Sequence, residues 1–175
     1  CTKRYTDQEN IESAFLVKKT RGNIVRLNMI FRFGTEKLMN GLDCALELVP
    51  SLMMRGTKRK SYQIIEDQID QLQSTLDLFG GIGGLCVSIV SDSDNIYKVV
   101  DLLREICQEP KFNKEEFIVV QTQKIASLKE SLQDPWSLGL NELEQLKNPW
   151  PKASIHRTRP IKEKIKILEH ISVDD

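Results

Sequence analysis

Apolar and polar positions alternate over residues 24–33. Val25, Leu27, Met29, Phe31 and Phe33 form one set, and Ile24, Arg26, Asn28, Ile30 and Arg32 the other. A period of two with one wholly apolar set predicts a half-buried strand. Residues 13–20, Ser-Ala-Phe-Leu-Val-Lys-Lys-Thr, read as the strand before it. Arg21-Gly22-Asn23 supplies the turn, so the two strands are expected to pair as a hairpin that Gly34 ends. A second hairpin is expected over 75–80 and 85–91, with Leu85, Val87 and Ile89 on one face. Its turn is the run Gly80-Gly81-Ile82-Gly83-Gly84. Glycine clusters also cradle phosphate, but that use needs a helix N-terminus behind the loop, and here a strand follows.

Elsewhere the apolar spacing is helical. In residues 40–54, Leu42, Ala45, Leu46, Val49, Leu52 and Met53 recur on one stripe, with a kink expected at Pro50. Ser61 is read as the cap of the next helix, whose buried side is Ile64, Ile65, Ile69, Leu72 and Leu76. Residues 94–107 place Ile96, Val99, Val100, Leu103, Ile106 and Cys107 together. Asn113 with Glu116 reads as a capping box for 114–132, and Asp134-Pro135 opens 135–146. Asn148-Pro149-Trp150-Pro151 stops that helix. A short basic helix is expected near 160–169, and Ser172-Val173-Asp174-Asp175 reads as a further helix start. The expected class is α/β of the α+β kind: a two-layer sandwich, one mostly antiparallel sheet with helices on one face. The unfinished helix start reads as the end of an excised piece.

Composition narrows the functions. The 175 residues suit a single domain, with 40% hydrophobic and 29% charged residues. Lys+Arg and Asp+Glu balance at 25 each, so no global field attracts nucleic acid or an anionic surface. Lys58-Arg59-Lys60 and Lys162, Lys164 and Lys166 read as solvated faces. No apolar run approaches the roughly 20 residues of a membrane span. Cys44, Cys86 and Cys107 lie in apolar segments and read as free thiols, with a disulfide as the other option; Cys1 reads as a chain boundary.

The chemistry-bearing stretch is residues 47–57, Glu-Leu-Val-Pro-Ser-Leu-Met-Met-Arg-Gly-Thr. Its ending, Leu-Met-Met-Arg-Gly-Thr, resembles the segment that follows His-x-x-Glu-His in insulinase/pitrilysin-type metallopeptidases, a motif that sets two imidazoles and a general base on one helix face. Counting back from Gly56-Thr57, Glu47 stands at the first His, Pro50 at the Glu and Ser51 at the second His. The resemblance extends through Lys18 to Asn23, Arg32-Phe33-Gly34, Gly80-Gly81 before Val87-Ser88-Ile89, Glu109-Pro110-Lys111-Phe112, and Asn148-Pro149-Trp150-Pro151-Lys152. It is that of a non-catalytic, insulinase-like (LuxS/metallopeptidase-like) half-domain in the long bacterial members, covering residues 1–175 as one truncated domain. The third zinc ligand of the family aligns near Ile118.

The resemblance implies a domain without zinc or catalytic residues of its own. Its partner would be a zinc-bearing catalytic half, in the same polypeptide or a paralogous subunit, making the whole a zinc metalloendopeptidase. This half would help enclose and bind an unstructured peptide. The alternative is a structural or assembly protein of the same fold. An unrelated enzyme using Ser51 or Cys44 as nucleophile lacks a histidine placed to activate either, since only His156 and His170 exist. The resemblance suggests the periplasm; unpaired cysteines leave the cytoplasm open.

Overall fold

The computed structural model describes residues 2–6, 11–16, 22–148, 150–152 and 154–174. In chain order its first elements are β1 (Thr2–Thr6), β2 (Glu12–Leu16), β3 (Ile24–Arg32), α1 (Glu36–Met39), α2 (Asp43–Leu46) and α3 (Val49–Met53). Then come α4 (Tyr62–Gln71), β4 (Thr75–Gly81), β5 (Gly84–Asp92), α5 (Ile96–Gln108), α6 (Lys114–Ser131), α7 (Pro135–Lys147) and α8 (Ile161–Leu168).

The alternating segments build a three-stranded antiparallel sheet in the order β3-β5-β4. Leu27 lies opposite Ile89 and Leu76 opposite Ile89 from the other side, so the apolar sets of all three strands share one face. On β5 the set Leu85, Val87, Ile89 and Ser91 is buried. Met53 of α3, Ile65 and Ile69 of α4, and Val99, Leu102, Leu103 and Ile106 of α5 cover that face. Ile65, Ile89, Val99 and Ile106 retain no exposure, and each such side chain contributes about 1.5–3 kcal/mol by leaving water. The class expected from the sequence therefore holds: α+β, antiparallel, with helices on one face of the sheet.

The turn between β4 and β5 needs glycine. Gly80 has φ +153°, and a Cβ there would stand 2.3 Å from the Gly84 carbonyl oxygen. A second core lies beside the first. Cys44, Leu48 and Leu52 pack with Phe117 and Val120 of α6 and Leu168 of α8. The α2–α3 segment thus sits between the two, with Leu52 facing one and Met53 the other.

Several local expectations are corrected. Residues 12–16 pair with β1 and not with β3, making a separate two-stranded sheet in which Tyr5 and Phe15 meet edge to face at 5.7 Å. The run Thr-Lys-Arg-Tyr-Thr has the β-prone residues to compete for that partner. Residues 17–21 of the expected first hairpin lie outside the described residues, as do Cys1, Pro149 and Asp175. The expected helix over 40–54 is two short helices rather than one kinked one. Pro50 cannot donate to the carbonyl four residues back and opens α3 instead. Phe31 and Phe33 are 43% and 41% exposed, because β3 runs past the covering helices there. Ile64 turns outward, and Leu102 joins the α5 stripe. Ser61 precedes α4 without a side-chain cap bond. The Asn113 side chain accepts from the Glu115 amide, while Glu116 turns to Arg55 at 3.6 Å, so no reciprocal capping box forms. Asp134 caps α7 as expected, accepting from the Trp136 and Ser137 amides.

Candidate functional site

The positions aligned with the zinc motif lie on α2, α3 and the turn between them. Glu47 follows α2, and its half-buried carboxylate accepts from Lys164 Nζ at 2.7 Å and Lys124 Nζ at 3.1 Å. Burial pushes this carboxyl up, but the Lys164 hydrogen bond and the charges of both lysines outweigh it and hold it below the ordinary range. Pro50 is buried in the first turn of α3, and Ser51 is exposed. Ile118, the aligned third position, is 51% exposed; the α6 side chain that reaches Glu47 is Lys124.

A catalytic zinc needs three deprotonated N, O or S ligands turned to one point, with a fourth position open for water. This donor set does not fit that requirement. Glu47 is engaged by two ammonium groups, Ser51 faces away into solvent and Ile118 has no donor atom. Among the described residues, no three or more His, Cys, Asp or Glu side chains lie close enough to hold a metal.

One turn earlier, Asp43 is 6% exposed and holds Arg159 in a bidentate pair through Nε and Nη2. Arg159 Nη1 also donates to Glu163 at 2.6 Å, and Glu163 accepts both Arg157 nitrogens at 2.9 Å. Burial raises the Asp43 carboxyl, yet the Arg159 hydrogen bonds and charge hold it below its usual value. The same network keeps Arg159 protonated, through the Asp43 bond first and the Glu163 bond with it. Beside them the Cys44 thiol is pushed up to about 11, by burial first and then by Asp43 and Glu47, so it is no nucleophile at neutral pH. His156 lies in the loop before α8, and His170 Nδ1 donates to the Lys166 carbonyl at 2.7 Å. Neither adjoins the motif positions in a shared ligand set.

The sequence reading missed Lys124, Arg159 and Lys164. A signal for Lys164 existed: it flanks the stripe Ile161, Ile165 and Leu168, which marks the buried side of α8. Nothing in the chain joins Asp43 to Arg159 across 116 positions.

A further cleft of about 590 Å³ runs between α4 and α5. Its charged walls are mutually paired, Arg59 with Glu109 and Lys60 with Glu105, both at 2.8 Å. Gln68 Oε1 is buried there without a partner among the described residues.

No protein-family model matches the chain, and no curated protein matches it by sequence. Solved structures do match by fold. The peptidase M16 inactive domain from Pseudomonas fluorescens superposes with TM-score 0.68 at 20% identity, over 82% of this chain and 35% of that one. A protease from Helicobacter pylori gives TM-score 0.71 at 9% identity, over 99% of this chain and 41% of that one. The ferredoxin protease FusC, solved with Arabidopsis ferredoxin, gives TM-score 0.66 at 17% identity, over 98% of this chain. This chain spans between 18% and 41% of these three. The insulinase-type half-domain read from the sequence and these likenesses agree on one architecture: the chain has the fold of an M16 peptidase inactive domain.

Proposed function

We propose that this chain is a non-catalytic domain of a zinc-dependent peptidase. It would close one side of a chamber in which a separate catalytic half cleaves an unstructured peptide. The observation that carries this reading is the combination of an M16 inactive-domain fold with a motif segment whose carboxylate is held by two lysines. The zinc belongs to the other half, in the same polypeptide or in a paralogous subunit. This half contributes shape: a closing wall excludes folded proteins and dries the site around the peptide.

The uncovered face of the sheet supports such a wall. Cys86 pairs with Ile30 on one side and Phe79 on the other, so an apolar row crosses all three strands. Ile30 and Phe79 are 68% and 55% exposed. An extended peptide laid on that row buries alternate side chains against it.

The test is cleavage of an unfolded peptide by the full-length polypeptide, or by this chain with its catalytic half. Chelator-sensitive cleavage is expected, with KM raised by Ile30→Asp or Phe79→Asp while the fold is kept. A full-length protein without chelator-sensitive cleavage would overturn the reading and favour an assembly role for the same fold.

A further inference from the structure

At the end of the sheet, where β3 stops and the β4–β5 turn folds over, a pocket of about 440 Å³ opens. Four apolar side chains line part of it: Phe33, Met39, Ile82 and Ile155. Met39 and Ile155 are 8% and 3% exposed, so the floor is fixed by packing. The pocket is also held in shape by the Phe33 amide, which donates to the Gly83 carbonyl at 3.2 Å. Three charged or titratable side chains stand on its rim: Arg32, Glu36 and His156. Neither Arg32 nor Glu36 makes a side-chain ion pair or hydrogen bond among the described residues, unlike Arg55, Arg59, Arg157 and Arg159. The His156 ring packs against Trp150, with centroids 5.3 Å apart, which leaves its nitrogens for a ligand.

An open pocket that sets apolar side chains beside a few polar groups suits a ligand with both characters, and this volume holds one or two residues of a peptide. Arginine is suited to a carboxylate through its planar fork of donors, and a second cationic or donor ring beside it adds to that preference. We propose that this pocket takes the carboxyl end of a peptide whose last side chain is apolar. The side chain enters between Phe33, Met39 and Ile82, and the terminal carboxylate meets Arg32 and His156. Glu36 then acts on the choice of last residue: it repels a second carboxylate, such as an acidic last side chain. The proposal borrows its ligand class from the peptide-handling reading above, but its test needs only this chain.

The sequence supplies a convenient readout. It has two histidines and two tryptophans; His156 lines the pocket and Trp150 packs against its ring. His170 and Trp136 serve as internal controls. In a proton NMR titration with acetyl-Ala-Phe as the free acid, the His156 ring and Trp150 indole signals are expected to move together and saturate, with Kd on the order of 1 mM. The His170 and Trp136 signals stay still. The same dipeptide as its C-terminal amide binds about tenfold more weakly or worse, and Arg32→Gln loses a similar factor. Arg32 is exposed and makes no side-chain pair among the described residues, so the variant is expected to melt with the parent. Acid and amide binding equally would overturn the proposal. So would movement of all four signals alike, no saturable shift, or loss of binding in Glu36→Gln with none in Arg32→Gln. If the titration fails while the full-length protein still shows chelator-sensitive cleavage, the pocket assignment falls and the peptidase reading stands. A positive titration with no such cleavage has the opposite meaning.

Discussion

The two cores of this molecule are built differently. The one under the sheet is apolar throughout, from Met53 across Ile65, Val87 and Ile89 to Ile106. The one around α2, α6 and α8 also has an apolar centre, but a buried carboxylate enters its margin: Asp43 pairs with Arg159, and Glu47 beside it with Lys164 and Lys124, whereas the pairs beside the first core, Lys60 with Glu105 and Arg59 with Glu109, are all more exposed than Asp43. Both cores share the α2–α3 segment, which carries the positions aligned with the metal motif. On that segment the carboxylates of Asp43 and Glu47 serve as fastenings, held by cations from α6, α8 and the loop before α8.

If this contrast is right, truncating each core should read differently. Ile106→Ala, in the apolar core with no exposure, is expected to cost about 3 kcal/mol by lost transfer energy and the cavity left behind. The loss should not depend on pH between 4 and 8. Urea denaturation at two pH values checks both points.

Asp43→Ala is expected to cost up to about 3 kcal/mol, the low end for breaking a buried pair, because Arg159 is half-buried and keeps Glu163 to offset its charge. Asp43→Leu combined with Arg159→Met should cost less than Asp43→Ala alone, since replacing a buried pair by apolar groups is often close to neutral. If the double variant is the worse, the pair stabilises more than packing could, and the contrast between the cores is sharper than drawn here.

Acid should loosen the second core through its own carboxylates. Asp43 and Glu47 have folded values held below their ordinary 3.8 and 4.5. Such groups contribute stability that is complete above the unfolded values and is lost as pH falls through the folded ones. The melting temperature is therefore expected to hold from about pH 7 to 5 and to drop below about pH 4.5. Asp43→Asn with Glu47→Gln should start lower and flatten that drop. An unchanged acid slope in the double variant would assign the loss to other carboxylates.

The smallest effect is expected at the lysines. Lys164→Met and Lys124→Met leave partly solvated partners, so each should cost no more than about 1 kcal/mol, with Lys164 the larger at its shorter 2.7 Å contact. Chemical denaturation of the two single variants resolves the order.

Much of the first core was legible. Alternation over 24–33 and 85–91, and the helical stripes at 64–72 and 96–107, depend only on local periodicity and one buried face. The Asp134-Pro135 start of α7 was equally plain, because a cap and a fixed φ act within one turn. What stayed hidden required a partner far along the chain. Residues 12–16 fit either neighbour as a strand, and only tertiary contacts selected β1. Glu116 reads as half of a capping box until Arg55 stands beside it. At 47–51 the resemblance to a zinc motif with residue types wrong for zinc was visible, whereas the pairing of Glu47 with Lys164 and Lys124 was not. Lys164 looked like part of a solvated basic face, and Lys124 had no pattern at all. Pro50 showed where the helix would fail, but not that the chain would restart there as α3.

The most direct test of the account is metal analysis of the purified, untagged chain, paired with cleavage of an unfolded peptide by the chain alone. With Glu47 taken by two lysines, Pro50 at the general-base position and Ser51 exposed, substoichiometric zinc and no chelator-sensitive cleavage are expected. One zinc per chain that is lost in Glu47→Ala, together with chelator-sensitive cleavage, would contradict it.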